Sequence, residues 1–275
     1  MAEQLLDFLS REKVKSPTII GRGVLPVQGK LIIGGQPKRN KSFVALNMGL
    51  DLARGRNIFG AEYPNHTPVL PVQKSHRVLY IEQEIGEIGL DERLKGMCQS
   101  WEELIELPFY IKSRDLNLKL DTQEGRDAIE RELAAVRPEV VILDPLVEFH
   151  SMDENSSQEM GMVLRVTTDW QERYKLSVIL IHHAGHPNWE HKREGGDLLR
   201  GSTAIYGAAD TIMIVESKSE LSAKEPLLKL SFELRRGEPI LPAYVKRLID
   251  GHIEFIQEPK WIGKTSVVAA QSSGS

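Results

Sequence analysis

The 275-residue sequence predicts an α/β fold: a mostly parallel sheet flanked by helices, with antiparallel strands near the C-terminus. Three observations predict it. Four apolar runs rich in β-branched residues alternate with segments of helical periodicity, as they do where parallel strands are joined through helices. Further on, LLKLSFEL alternates apolar and polar positions at the strand period of two. RLIDGHIEF then sets Asp250 and Gly251 between two strand-like runs, the composition of a hairpin turn.

Taken in order, the chain opens on MAEQLLDFLSREKVK, where Leu5, Leu6, Phe8 and Leu9 can form one apolar face of a short helix. That face is expected to dock on its own domain or on a neighbouring subunit. Residues 1–20 form this N-terminal helical segment, 21–262 the principal domain, and 263–275 a disordered tail. The first strand is LIIGG, Leu31 to Gly35; the others lie in RVLYIEQE, EVVILDP and SVILIHH. Phe43, Leu46, Leu50 and Ala53 recur at helical spacing, with Gly55 placed to stop the helix. A second helix carries Ile129, Leu133 and Val136, opened by the capping-box-like Asp121 to Glu124 and ended before Pro138. A third spans residues 155–173. Residues 56–75, with three prolines, read as a surface excursion, and residues 184–200 as a polar loop that is basic in its middle.

Composition sets bounds on function. With 41% hydrophobic and 27% charged residues the chain is an ordinary globular one, and its net charge of −4 excludes a protein that coats nucleic acid through a broad basic face. The single cysteine, Cys98, can form no internal disulfide and no thiolate metal set, which fits a cytoplasmic location. No apolar run approaches the roughly 20 residues needed to cross a bilayer, so no membrane partner is expected. The N-terminus carries Glu3 and Asp7 rather than the charged-then-apolar order of a signal peptide.

The chemistry concentrates at strand ends. After the first strand, Gly35, Gln36, Pro37, Lys38, Arg39, Asn40, Lys41, Ser42 and Phe43 have the length and ending of a phosphate-binding loop. In such a loop backbone N–H groups and a helix N-terminus face the phosphates, the lysine reaches the terminal ones, and the hydroxyl binds magnesium. Asn40 stands where the second defining glycine belongs. Asn adopts the left-handed backbone most readily of the non-glycine residues, so the loop can close with some loss of room. Asp144 ends the third strand, where a carboxylate can hold magnesium. Glu82 and Glu84 flank the end of the second, and spacing alone does not choose which of them acts on an attacking water. The fourth strand ends in His182 and His183, with His186 and His191 beyond. Adjacent residues of a strand face opposite ways and no cysteine completes a set, so a phosphate-sensing imidazole is favoured over zinc.

In this order, GQPKRNKS, VLYIEQE, VVILDPLVEFHSMDENSSQEM, VILIHHAG, LRGSTAIYGAAD and LRRG resemble the RecA-like P-loop ATPases, most closely the plasmid RepA-type hexameric replicative helicases. The resemblance covers roughly residues 20–240. It implies ATP and Mg²⁺ as cofactors, Lys41 and Ser42 as phosphate and magnesium residues, Glu84 as the water-activating carboxylate, and Asp144 in the metal shell. It sets His183 where the family links the γ-phosphate to a DNA-facing loop, here carrying Lys192, Arg193 and Arg200. It makes Arg235 the arginine finger of a homo-oligomer, a hexamer in the helicase branch, with single-stranded DNA in its channel. In ELRRG, however, Glu233 occupies the lysine position of the ring-forming pattern. Two further readings stand beside the helicase: an ATP-dependent regulator or loader of a protein partner, and a nucleotide-binding module with little turnover.

Overall fold

Parallel strands covered by helices on both faces must be apolar at nearly every position, and this requirement shapes the core. The computed structural model describes residues 4–10, 17–63, 65–98, 106–115, 118–183, 203–220 and 222–257. In chain order these residues form α1 (Leu5–Ser10), β1 (Thr18–Ile20), β2 (Leu25–Pro26), β3 (Lys30–Gly35), α2 (Lys41–Arg54), β4 (Val78–Glu82) and α3 (Gly86–Cys98). They continue through β5 (Phe109–Lys112), α4 (Gln123–Val136), β6 (Val140–Asp144), α5 (Ser157–Tyr174), β7 (Ser177–His183) and α6 (Thr203–Ala208). The last strands are β8 (Thr211–Ser217), β9 (Leu227–Leu234), β10 (Ala243–Arg247) and β11 (Ile253–Ile256).

Among the described residues one nine-stranded sheet runs β11-β10-β9-β8-β3-β7-β6-β4-β5. The six strands from β8 to β5 are parallel, and β9, β10 and β11 continue antiparallel. The expected class, a mostly parallel sheet with antiparallel C-terminal strands, is the one observed. Alternation divides each strand between two cores. Leu31, Ile33, Tyr80, Ile142 and Ile181 pack with α2 and α3 on one face; Ile32, Ile81, Leu143 and Leu180 pack with α4 and α5 on the other.

Local chemistry ends the helices where the sequence predicts. Gly55 caps α2 in the left-handed conformation with φ 66°. The Thr122 hydroxyl accepts from the Gly125 amide to start α4, and Ser156 likewise caps α5 through the Glu159 amide. The Asp250–Gly251 turn joins β10 to β11, with Gly251 at φ 94°.

Two features depart from expectation. Residues 56–75 are no loose excursion, because Ile58, Phe59, Val69 and Leu70 are buried in the core, and Asp51 of α2 accepts the Phe59 amide at 2.8 Å. These contacts make it a packed strap rather than a solvated loop. Thr18–Ile20, on the N-terminal side of the expected boundary at residue 21, already pairs with β2 and buries Ile19 and Ile20. The expected tail at 263–275 and the loop with Lys192, Arg193 and Arg200 lie outside the described residues. Among the described residues no helix is long and apolar enough to cross a membrane.

Candidate functional site

Strand register assembles the site. Gly35, at the end of β3, pairs with His183 at the end of β7, and Glu82, at the end of β4, pairs with Asp144 at the end of β6. Four residues distant in sequence therefore emerge together at the carboxyl edge of the parallel strands, where open α/β sheets place their ligands.

The loop from β3 to α2 closes as its residue types allow. A Cβ on Gly35 would stand 2.6 Å from the Val215 carbonyl oxygen, so the close approach of β8 requires glycine there. Lys38 and Asn40 both adopt left-handed backbone, at φ 58° and 66°. Asn40 thus takes the conformation that the missing glycine would have supplied, and its carbonyl accepts the Val44 amide at the first turn of α2. Gln36, Pro37 and Lys38 are exposed, and Arg39 is half-buried.

Lys41 is buried, and its ammonium donates to the Gln36 carbonyl at 2.8 Å and lies 3.1 Å from His183 Nδ1. Burial lowers the Lys41 pKa to about 8, opposed by the negative charges of Asp144 and Glu84. Burial and then the Lys41 charge lower His183 to about 4, so its imidazole is neutral near pH 7. An ammonium only donates, so His183 accepts at Nδ1 and carries its proton on Nε2.

Ser42 Oγ donates to Asp144 Oδ1 at 3.1 Å, and the Tyr80 hydroxyl donates to Asp144 Oδ2. Burial raises the Asp144 pKa to about 6, the two hydroxyl donors oppose that rise, and the charges of Glu82 and Glu84 add to it. A hydroxyl and a carboxylate oxygen side by side, in a region where three acidic groups repel one another, suit a hard divalent cation such as Mg²⁺.

Glu82 and Glu84 separate into different tasks. Glu82 is buried and accepts the amides of Glu84 and Ile85 at 2.5 Å each and that of Gly86 at 2.9 Å, holding the start of α3. Glu84 lies beyond the strand end and is exposed, yet near enough to Lys41 and Asp144 to shift the pKa of each. Of the two carboxylates, that of Glu84 is the one left exposed at this edge.

Arg235 stands elsewhere. Leu234 pairs with Thr211, the first residue of β8, so Arg235 follows β9 at the N-terminal edge of the parallel strands, opposite Lys41. It is exposed and donates to the Gly207 carbonyl. Phe43 follows Ser42 on α2, and the guanidinium carbons of Arg93 and Arg247 each lie 4.7 Å from its ring centroid. Sequence reasoning missed these two arginines, along with Tyr80. Tyr80 could have been found, since it sits two residues before Glu82 on the strand beside Asp144.

A family model described as an AAA domain matches residues 4–188. Among solved structures, a KaiC-like protein from the hyperthermophilic archaeon Pyrococcus horikoshii OT3 superposes with a TM-score of 0.55 at 13% sequence identity, over 90% of this chain and 99% of that one. At that identity the likeness speaks for the fold. No curated protein matches the sequence.

Proposed function

This chain belongs to the AAA domain family, and from that premise we propose that it hydrolyses ATP with magnesium in a homo-oligomer, as a DNA-dependent ATPase or helicase. That it is an ATP-binding protein of RecA-like fold rests on the family and the fold together. The observation that carries the finer reading is the convergence of Lys41, Ser42, Asp144 and His183 at one sheet edge, with Glu84 beside them.

Each residue then has a task. The amides of the loop and of the first turn of α2 face the phosphates, and the Lys41 ammonium exchanges the Gln36 carbonyl for terminal phosphate oxygens. Ser42 and Asp144 would hold Mg²⁺, which when bound neutralises charge on those oxygens. Glu84 orients and accepts a proton from the attacking water, and the His183 Nε2 proton is available to a phosphate oxygen. Arg235, at the opposite sheet edge, can serve a phosphate loop only in another copy of the chain. The resemblance of the 184–200 region to a DNA-facing loop supports DNA as the partner.

Steady-state ATP hydrolysis with and without single-stranded DNA, beside Lys41→Ala, tests the proposal. Turnover that needs Lys41 and rises with DNA supports a DNA-dependent motor. Turnover indifferent to DNA moves the chain to a regulator or loader of a protein partner, and ATP binding without turnover sinks the hydrolase reading.

A further inference from the structure

Among the described residues the half-buried guanidinium of Arg93, on α3, makes no hydrogen bond and no ion pair. Its N–H donors are left to water or to a ligand. What it does have is a ring: its guanidinium carbon lies 4.7 Å from the centroid of Phe43, the residue directly after Ser42. Arg247 of β10 lies at the same distance from that ring and is anchored by donation to the Lys224 carbonyl at 3.1 Å. Burial and then the charge of Arg93 lower the Arg247 pKa, so two like charges share one aromatic ring.

The surroundings hold this group in place. Buried Asn47, one turn beyond Phe43 on α2, donates to the Gly251 carbonyl and accepts the Ile253 amide, both at 3.0 Å. The β10–β11 turn is thereby tied to α2. A Cβ on Gly251 would stand 3.0 Å from Phe43 Cε1, and one on Gly96 of α3 would stand 2.5 Å from the Asp250 carbonyl oxygen. The turn therefore packs closely on both helices, and Phe43, Arg93 and Arg247 meet where the three elements join.

That meeting point lies beside the phosphate loop. The charge of Arg93 reaches Tyr80, the donor to Asp144. α3 begins at Gly86, two residues past Glu84, and at 1.5 Å per residue Arg93 lies about 10 Å further along it. Terminal phosphates held between Lys41 and Glu84 leave the ribose and base of a nucleotide to cover that distance. A planar guanidinium stacks on aromatic faces and is attracted by their π electrons.

We propose that Arg93 seats the nucleobase: the base of the bound nucleotide stacks on its guanidinium, which Phe43 and Arg247 hold in position. The proposal rests on the ATP reading above and adds selection of the base by its face. A purine covers a guanidinium more fully than a pyrimidine, so purine nucleoside triphosphates bind more tightly than pyrimidine ones.

The test separates base from phosphate. Affinities of the full chain for ATP, CTP and inorganic tripolyphosphate, each with Mg²⁺, are measured by titration calorimetry, weak binders by displacement of ATP. Arg93→Lys keeps the charge and loses the planar face. It is expected to weaken ATP about tenfold, leave tripolyphosphate within twofold, and remove the preference for ATP over CTP. Arg93→Ala should match it, and where the alanine variant unfolds, Arg93→Lys decides. An equal loss for ATP and tripolyphosphate makes Arg93 a phosphate ligand and overturns the base seat. So does unchanged ATP affinity in Arg93→Lys, or a wild-type chain that binds ATP and CTP equally. The parent reading is tested by another variant. If Lys41→Ala binds ATP as wild type does, the loop is not the nucleotide site and both readings fall, whereas an error in the base seat alone leaves Lys41→Ala defective.

Discussion

At the residue scale, Glu82 is tied to three amides while Glu84 is exposed, and substitution should separate the tasks proposed for the two carboxylates. Glu84→Gln is expected to lower turnover by about 10²–10⁴-fold while ATP affinity stays within a few-fold, measured by steady-state hydrolysis and by titration calorimetry. Glu82→Ala strips three amides of their acceptor and should instead cost about 1–3 kcal/mol of stability, read by denaturant unfolding. Asn40 offers a second contrast at φ 66°. Asn40→Gly should leave ATP affinity intact or improved, whereas Asn40→Val forces a β-branched residue into left-handed backbone and should weaken it at least tenfold. Equal affinities in the two variants would show that the backbone at this position does not shape the loop. The meeting of Lys41, Ser42 and Asp144 at one sheet edge was legible in the sequence, because loop spacing and strand context set all three at element ends. The choice of Glu84 over Glu82 came there only from resemblance. Physically it depends on where β4 stops and on which side chain the α3 amides capture, and neither is written in an alternating pattern.

At the element scale, periodicity disclosed what packs on one side and missed what packs weakly or on both. α2 and α4 were legible from spaced apolar residues and from stop and start signals, Gly55 and the stretch Asp121 to Glu124, although the cap itself is Thr122. α3 was not, since it buries only Leu90 and Met97 fully, while its other apolar residues, Ile88, Leu94 and Cys98, are exposed or half-buried. The strap at 56–75 was misjudged because its prolines and polar residues hid a short apolar set held to α2 by Asp51. That tie is pH-sensitive. Burial raises Asp51 to about 6 from its ordinary 3.8, against the pull of the Phe59 amide. Between those values the folded chain binds more protons than the unfolded one, so stability from this group falls as pH rises from about 4 to 6. Asp51→Asn removes that dependence, and the melting temperature of the variant relative to wild type should climb across this window and level off above it. A gap constant with pH would show that Asp51 is not held in its charge-averse setting.

At the scale of the whole molecule, the parallel order and the antiparallel extension of the sheet follow from the alternation of element types. The neighbour of each strand does not, because pairing β3 with both β7 and β8 is a long-range choice that local patterns leave open. The placement of Arg235 at the edge opposite Lys41 has the same origin, and it yields a test of assembly. Arg235→Ala should lower turnover by about 10³–10⁵-fold, as loss of a finger does, and so should Lys41→Ala. Mixing the two inactive variants should restore partial activity, because one interface then joins an intact Lys41 to an intact Arg235. A mixture as inactive as its components would exclude action in trans. The central position of β3 also bears on synthesis. Residues 30–35 leave the ribosome early, but their flanking partners, residues 177–183 and 211–217, follow much later. Throughout that interval an apolar strand has both hydrogen-bonding edges open. The nascent chain is therefore a natural client for chaperones, and the phosphate loop stays unformed until most of the protein has been translated.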